Sequence, residues 1–93
     1  MVIKLKQENT KGAAFIEDND KVLAEMTYSI ASPNLIIIDH TEVDSSLKGK
    51  GIGKKLLMEL VDKARKENIK IIPLCPFAKS VFDKDANLRD VLK

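Results

Sequence analysis

Three glycines alternate with other residues in the segment Lys48-Gly49-Lys50-Gly51-Ile52-Gly53. Because glycine has no Cβ atom, a backbone built this way can approach a ligand closely and turn its N–H groups outward. After the glycines, the apolar residues have the spacing of a helix with one buried side: Ile52, Leu56, Leu57, Leu60, Val61 and Ala64. The positive end of a helix dipole favours an anion at this point. The segment therefore predicts an anion site, best suited to phosphate, or else a flexible turn that carries solvated lysines.

The positive charge of the chain is concentrated around these glycines. Residues 45–58 hold four lysines and no acidic residue, a local charge of +4, whereas the whole chain of 93 residues carries +2. Such a patch on a near-neutral protein favours a small anionic ligand, because proteins that bind duplexes carry a wider basic face. Aromatic residues make up only 4% of the chain, too few for a base-stacking platform. We therefore expect no nucleic-acid partner.

The common phosphate motifs do not fit this segment. A P-loop needs Gly-x4-Gly-Lys-Ser/Thr, but Lys48 and Lys55 stand where its first glycine and its hydroxyl residue should be. A dinucleotide fingerprint needs Gly-x-Gly-x-x-Gly, and Lys54 or Leu56 stands at its third glycine, depending on the register. The site must therefore be of another type.

The residues before the glycines alternate as β-strands do. This alternation predicts strands at residues 2–7, 12–17, 21–31 and 35–43. Ile3 and Leu5 should face the core from the first strand. The inward positions of the third strand should be Val22, Ala24, Met26, Tyr28 and Ile30. The apolar run Leu35-Ile36-Ile37-Ile38 predicts a strand that is covered on both faces.

The residues after the glycines complete an α/β pattern. They predict a helix that ends near residue 68, a fifth strand at residues 69–74 and a second helix that opens with Pro76. Leu88, Val91 and Leu92 should end the chain in one or two further helical turns. A strand, a helix and a strand in succession form a crossover between parallel strands. We therefore expect one α/β domain over residues 1–93, with an antiparallel meander followed by this crossover.

Composition limits the class of protein. Apolar residues make up 44% of the chain and charged residues 32%, which is typical of a soluble globular domain. No apolar run reaches the roughly 18 to 20 residues of a membrane span, and the first residues lack a signal-peptide pattern. We expect a cytoplasmic protein, monomeric or weakly dimeric, with no membrane contact. One cysteine and one histidine exclude an internal disulfide framework and a four-ligand zinc site made from these residue types.

Two motifs flank the glycine segment, His40-Thr41-Glu42-Val43 and Pro73-Leu74-Cys75-Pro76-Phe77. Together with the glycines and the order of elements, they resemble the GNAT acetyltransferase superfamily, in particular its small single-domain members with a cysteine beside the acetyl site. The family signature Arg/Gln-x-x-Gly-x-Gly/Ala is matched at every position but the first, where Lys48 stands. The resemblance implies a mixed sheet with a splayed parallel pair. It also implies that the chain binds acetyl-coenzyme A and transfers the acetyl group to an amine acceptor.

The resemblance further implies which residues hold the coenzyme. Main-chain amides of the glycine segment would bind the pyrophosphate, and the end of the preceding strand would pair with the pantetheine arm. The residues concerned are Glu42, Val43, Lys48, Gly49, Lys50, Gly51, Ile52, Gly53 and Lys54. Two parts of larger relatives are missing: the N-terminal helical pair that forms the acceptor pocket, and a tyrosine acid in the helix after the last strand.

Cys75, His40 and Glu42 are the candidates for catalysis. Cys75 lies between a strand end and a helix start, where the dipole stabilises a thiolate; alternatively it is a small buried hydrophobe. His40 and Glu42 share strand parity, so we expect both on the same face near the splay. We also expect them beside Cys75, and either could deprotonate an amine. His40 could instead be structural and Glu42 an exposed rim carboxylate. Cys75 would either lie near the departing sulfur or take the acetyl group first. A non-catalytic acyl-coenzyme A-binding or interaction module is the alternative function.

Overall fold

The computed structural model describes residues 1–93, which form five strands and two α-helices. The strands are β1 (Lys4–Glu8), β2 (Lys11–Asp18), β3 (Lys21–Ser32), β4 (Leu35–Val43) and β5 (Lys70–Pro73). The helices are α1 (Ile52–Glu67) and α2 (Pro76–Lys84), with 3-10 helices at Ser45–Leu47 and Ala86–Val91. The sheet has the order β1-β2-β3-β4-β5, antiparallel except for the parallel pair β4-β5. The predicted α/β fold, with its meander and crossover, is confirmed.

The hydrophobic core lies on one face of the sheet, which we call the helix face. Residues paired across antiparallel strands share a face, and the pairs Ala14–Met26 and Tyr28–Ile38 are almost completely buried. The apolar stripe of α1 packs on them and is equally buried; it consists of Leu56, Leu57, Leu60, Val61 and Ala64. The predicted inward-facing residues of α1 and of the middle of β3 are therefore confirmed.

The opposite face, which we call the open face, has no helix against it. The buried residues of α1, of α2 and of the last 3-10 helix all belong to the one core on the helix face. Ile36 and Ile38 are buried on that side, whereas Leu35 and Ile37 are only half-buried. The expectation that this run is covered on both faces is wrong, because every helix packs on the same side of the sheet.

Two residues that were expected to point inward are exposed. Leu5 is 47% exposed, since β1 is the edge strand and α1 packs on β2, β3 and β4. Val22 is 43% exposed because the pairing of β2 with β3 shifts at a bulge, and Leu23 packs against the core in its place. Alternation therefore misjudges burial in two situations. At an edge strand no layer covers the inward side chain, and at a bulge one added residue changes which side chains point inward.

The parallel strands part before β4 ends. Their pairing runs from Leu35–Lys70 to Ile38–Pro73. The N–H groups of Leu74 and Cys75 then both donate to the Ile38 carbonyl, at 3.1 and 3.0 Å. The chain turns away into α2, whose first residue is Pro76, so residues 39–43 of β4 have no strand beside them on this side. The predicted splay is therefore present.

The end of the chain is fastened to α1. Arg65 donates to both carboxylate oxygens of Asp90, at 3.0 and 2.9 Å, and to the Asn87 carbonyl at 2.8 Å. The hydrogen bonds from Arg65 lower the pKa of Asp90. Leu92 then forms a parallel bridge with Ile71, so the last helical turns end at Val91. None of the helices has the length and apolar character that crossing a bilayer requires.

Candidate coenzyme and acetyl-transfer site

The glycine segment forms the turn that leads into α1. Gly49 and Gly51 have φ angles of +78° and +66°, a conformation in which other residues are strained. A Cβ atom on either glycine would meet nothing within 4 Å, so both border open space. Gly51 caps α1, no side chain caps the helix, and Lys55 is the first residue whose N–H bonds back to the Gly51 carbonyl. The N–H groups of Ile52, Gly53 and Lys54 have no carbonyl partner within the helix, so they are free to bind an anion.

Lysines surround this turn without acidic partners. Every ion pair in the protein involves other residues, so the ammonium groups of Lys48, Lys50 and Lys54 have no carboxylate within 4.0 Å. No acidic residue lies in the first turn of α1. Their field therefore adds to the helix dipole at the same place.

Asp44 ties the turn to the sheet. Its N–H donates to the Leu23 carbonyl at 2.7 Å, and its carboxylate accepts hydrogen bonds from the Ser46 N–H and hydroxyl, at 3.0 and 2.6 Å. The bond from the Ser46 hydroxyl, and to a smaller extent the bond from the Ser46 N–H, lower the pKa of Asp44 below its ordinary value. The carboxylate therefore holds the chain where β4 ends and the 3-10 helix begins.

A cavity of about 410 Å³ lies beside the turn. Seven of the residues predicted to bind the coenzyme line it: Val43, Lys48, Gly49, Gly51, Ile52, Gly53 and Lys54. Glu42 and Lys50, which were also predicted, do not line it. Thr41 and Leu47 complete this wall. The cavity thus joins the unpaired edge of β4 to the glycine turn.

The second wall of the cavity comes from α2, which sequence reasoning missed. It consists of Phe77, Ser80, Val81 and Lys84. These residues are spaced i, i+3, i+4 and i+7, so they form one face of the helix. That spacing is visible in the sequence and could have identified the wall, but only the packing of α2 shows which of its faces looks toward the turn.

A bulge in β4 decides which way its last residues point. Tyr28 pairs with Ile38, but Thr27 pairs with His40, so Asp39 is an extra residue in β4. Without it, alternation from Ile38 would put His40 on the helix face. With it, Thr41 pairs with Met26 on the helix face, while His40 points to the open face.

His40 and Glu42 form a pair on the open face. His40 Nε2 lies 3.1 Å from Glu42 Oε1, and their side chains are 65% and 79% exposed. A carboxylate accepts in such a contact, so Nε2 is the donor, and in the neutral imidazole with its hydrogen on Nε2 the free lone pair is on Nδ1. The two residues therefore lie together, as their parity predicts, with a basic nitrogen directed away from the carboxylate.

Cys75 lies on the other side of the sheet. It is 4% exposed, and its Sγ is 3.2 Å from Thr41 Oγ1. It caps the N-terminus of α2, as predicted, without a hydrogen bond from its side chain to the helix backbone. Neither His40 nor Glu42 is hydrogen-bonded to it. The expected grouping of the three residues is therefore replaced by two pairs, His40–Glu42 and Thr41–Cys75, on opposite faces of β4.

Comparison with known proteins supports the same fold. A family model described as GCN5-related N-acetyl-transferase matches residues 13–91. A GCN5-like protein from Staphylococcus aureus, solved in solution, is 42% identical, with a TM-score of 0.73 over 97% of this chain and 87% of that chain. The chain belongs to the GCN5-related N-acetyltransferase family. No curated protein matches this GNAT chain.

More distant structures share the GNAT fold. Tetrahymena GCN5 is 21% identical, with a TM-score of 0.66 over 83% of this chain and 51% of that chain. An acetyltransferase from Clostridium acetobutylicum, solved with acetyl-CoA, is 22% identical, with a TM-score of 0.63 over 81% of this chain and 56% of that chain. The GNAT family uses acetyl-coenzyme A and amine acceptors. At these identities the two structures show that the fold is shared, and no more.

Proposed function

We propose that this GNAT chain, acting as one domain over residues 1–93, binds acetyl-coenzyme A in the 410 Å³ cavity and transfers the acetyl group to an amine. One observation carries the proposal. The cavity connects a turn that presents free N–H groups with a strand edge that has no partner. A pyrophosphate suits the first and an extended amide-bearing chain suits the second.

Binding follows from groups that this chain itself supplies. The turn offers backbone N–H groups over residues 49–54, and the lysines at its rim, including Lys84 of α2, add attraction for phosphate. Residues 39–43 of β4 offer main-chain groups to the pantetheine arm, as an added strand would receive them. The backbone N–H near Val43 is the group we assign to polarise the thioester carbonyl.

Transfer requires a base and a group that stabilises the leaving sulfur. His40, held by Glu42, is assigned as the base, because Nδ1 keeps a free lone pair on the accessible open face. The amine approaches from this face, gives its proton to His40 and attacks the thioester carbonyl carbon. The carbon–sulfur bond breaks, and its electron pair stays on the coenzyme sulfur. Cys75, which caps α2 and contacts the cavity-lining Thr41, is assigned to the leaving sulfur.

Direct transfer is favoured over an acetyl-cysteine intermediate. A thiol needs a neighbouring base to become a nucleophile, and the only side chain hydrogen-bonded to Cys75 is the hydroxyl of Thr41. Mass spectrometry after incubation with acetyl-coenzyme A separates the routes. We expect no acetyl adduct on Cys75 while the amine is acetylated, and an adduct that forms and decays at the turnover rate would establish the covalent route.

The test of the function begins with binding. Isothermal calorimetry should detect acetyl-coenzyme A binding to the parent protein, and Gly51→Asp should abolish it by adding a carboxylate where the anion would lie. Gly51→Asn is the matched control, because asparagine tolerates positive φ and is neutral. It should retain more of the affinity. Parent protein that fails to bind the coenzyme would refute the proposal.

Transfer is tested on a panel of primary amines. His40→Gln should remove most of the acetylation while the affinity for acetyl-coenzyme A stays within about twofold, since a general base contributes a factor of about 100 to 10,000. Coenzyme binding without acetylation of any amine would favour the second candidate, a non-catalytic acyl-coenzyme A-binding module. The strong exposure of His40 and Glu42 is the observation that keeps this candidate open.

A further inference from the structure

Thr41 is the one residue whose side chain is hydrogen-bonded to Cys75. The hydroxyl lies 3.2 Å from the thiol, within hydrogen-bonding distance for sulfur, and either atom can donate. Cys75 is buried, whereas Thr41 is half-buried and also lines the cavity beside the glycine turn. The hydroxyl therefore touches both the thiol and the space that the coenzyme would occupy.

The position of Thr41 depends on the bulge at Asp39. The extra residue moves Thr41 to the helix face, opposite the fully buried Met26, and moves His40 to the open face. A bulge that re-aims side chains is a common device beside functional sites. Here it exchanges the group that meets Cys75, so a hydroxyl occupies the place that an imidazole would take in a regular strand.

This exchange changes what the thiol can do. An imidazole at this place would offer the thiol a base. The hydroxyl is not a base, but it can accept a hydrogen bond from the thiol or donate one to the thiolate. Hydrogen bonds to a charged partner are about twice as strong as those between neutral groups. The hydroxyl can therefore serve the sulfur both before and after the thiol gives up its proton.

We infer that Thr41 is a positioning residue that holds the Cys75 thiol toward the coenzyme sulfur and stabilises its thiolate once the proton has left. The inference rests on the proposed function. The S–H bond of Cys75 breaks, and the proton passes to the sulfur of the leaving coenzyme, which departs as a free thiol. Cys75 remains as a thiolate that accepts a hydrogen bond from Thr41. The proton that His40 took from the amine returns to Cys75 through solvent, so the cycle is balanced.

The test compares three variants of the full chain. Thr41→Val keeps the shape of the side chain but removes the hydroxyl, Thr41→Ser keeps the hydroxyl, and Thr10→Val is the control in an exposed turn. Iodoacetamide modification at about pH 7 is followed by intact mass without coenzyme. It reads Cys75 directly, because the chain has one cysteine. The affinity for acetyl-coenzyme A, kcat and KM are measured in parallel.

We expect Thr41→Val to slow alkylation about tenfold or more, the effect of losing a hydrogen bond to a charged sulfur. It should lower kcat, with KM for acetyl-coenzyme A within about twofold of the parent value. Thr41→Ser should restore most of the alkylation rate that Thr41→Val loses, and Thr10→Val should behave like the parent protein. Should Thr41→Val not fold, the same comparison is made with Thr41→Ala.

Two results would overturn the inference. One is a hydroxyl-free variant that alkylates at the parental rate, and the other is failure of Thr41→Ser to restore reactivity. A parent protein that neither binds nor transfers acetyl would defeat the proposed function instead. The alkylation rates would still show whether Thr41 acts on Cys75, so the two failures are distinguishable.

Discussion

A Cβ atom added to Gly53 would lie 2.7 Å from Cζ and 2.8 Å from Cε2 of Phe77. Gly53 therefore differs from Gly49 and Gly51, which have positive φ angles and would place a Cβ atom in open space. Its missing side chain lets the first turn of α1 approach the first turn of α2. Because Phe77 also lines the cavity, this contact links the packing of the two helices to the shape of the candidate coenzyme site.

We predict that Gly53→Ala affects the coenzyme site more than the stability. Phe77 is 39% exposed, so its ring can move away, and alanine in a helix is worth about 1 kcal/mol more than glycine. The free energy of unfolding in urea should change by less than about 1 kcal/mol, while acetyl-coenzyme A binding weakens. Phe77→Ala in the same protein should recover part of the affinity. An unchanged affinity in Gly53→Ala would show that the ring does not matter to the cavity.

Gly12→Ala should be destabilising instead. A Cβ atom there would collide with the ring and hydroxyl of Tyr28, which is only 1% exposed and donates a 2.8 Å hydrogen bond to Gln7. The ring has no free space, and overpacking of this kind costs about 1–3 kcal/mol. Urea unfolding measures the loss. The same change made in a Tyr28→Leu background should cost less, and equal costs in both backgrounds would rule out the collision as the cause.

Salt should weaken coenzyme binding through the lysines at the turn. Replacing Lys48 and Lys54 together by glutamine should reduce the affinity for acetyl-coenzyme A by about threefold to tenfold and flatten its dependence on ionic strength. Lys66→Gln, an exposed change at the far end of α1, is the control and should leave both unchanged. Binding of the parent protein that is insensitive to salt would contradict the electrostatic part of the site.

Acid should destabilise the protein through two carboxylates. The pKa of Asp44 is lowered by the Ser46 hydrogen bonds and that of Asp90 by Arg65. A lowered pKa in the folded state adds stability above the ordinary value of 3.8, and this stability is lost as the pH falls through the folded values. Thermal unfolding followed from pH 6 to pH 2 should show this decline.

The variants for this experiment separate the two carboxylates. Arg65→Gln should raise the pKa of Asp90 toward 3.8 and reduce the acid-dependent part of the stability, with Asp44 unaffected. Ser46→Ala should raise the pKa of Asp44 toward 3.8 and leave the pKa of Asp90 unaffected. Carbon-detected NMR titration of the carboxyl groups reads each pKa directly. Carboxyls that titrate at 3.8 in the parent protein would contradict the assignment of these bonds.

Local pattern was sufficient for most of the fold. Alternation placed the four strands of the meander, the 3.6-residue spacing placed α1, and the three glycines marked the turn between them. These features depend on neighbours a few residues apart, which a sequence shows directly. Of the eight cavity-lining residues from Val43 to Lys54, all but Leu47 were predicted, from the glycine segment and its resemblance to the GNAT family.

Only the tertiary structure decided which face each candidate residue of β4 occupies. We expected His40 and Glu42 beside Cys75, but Asp39 is bulged out of the pairing with β3, and every later side chain in β4 lies on the face opposite to that of a regular strand. A bulge is set by how two strands pair across the sheet, and the sequence of one strand does not encode that relationship. Thr41 meets Cys75, and His40 faces the open side, because of this one added residue.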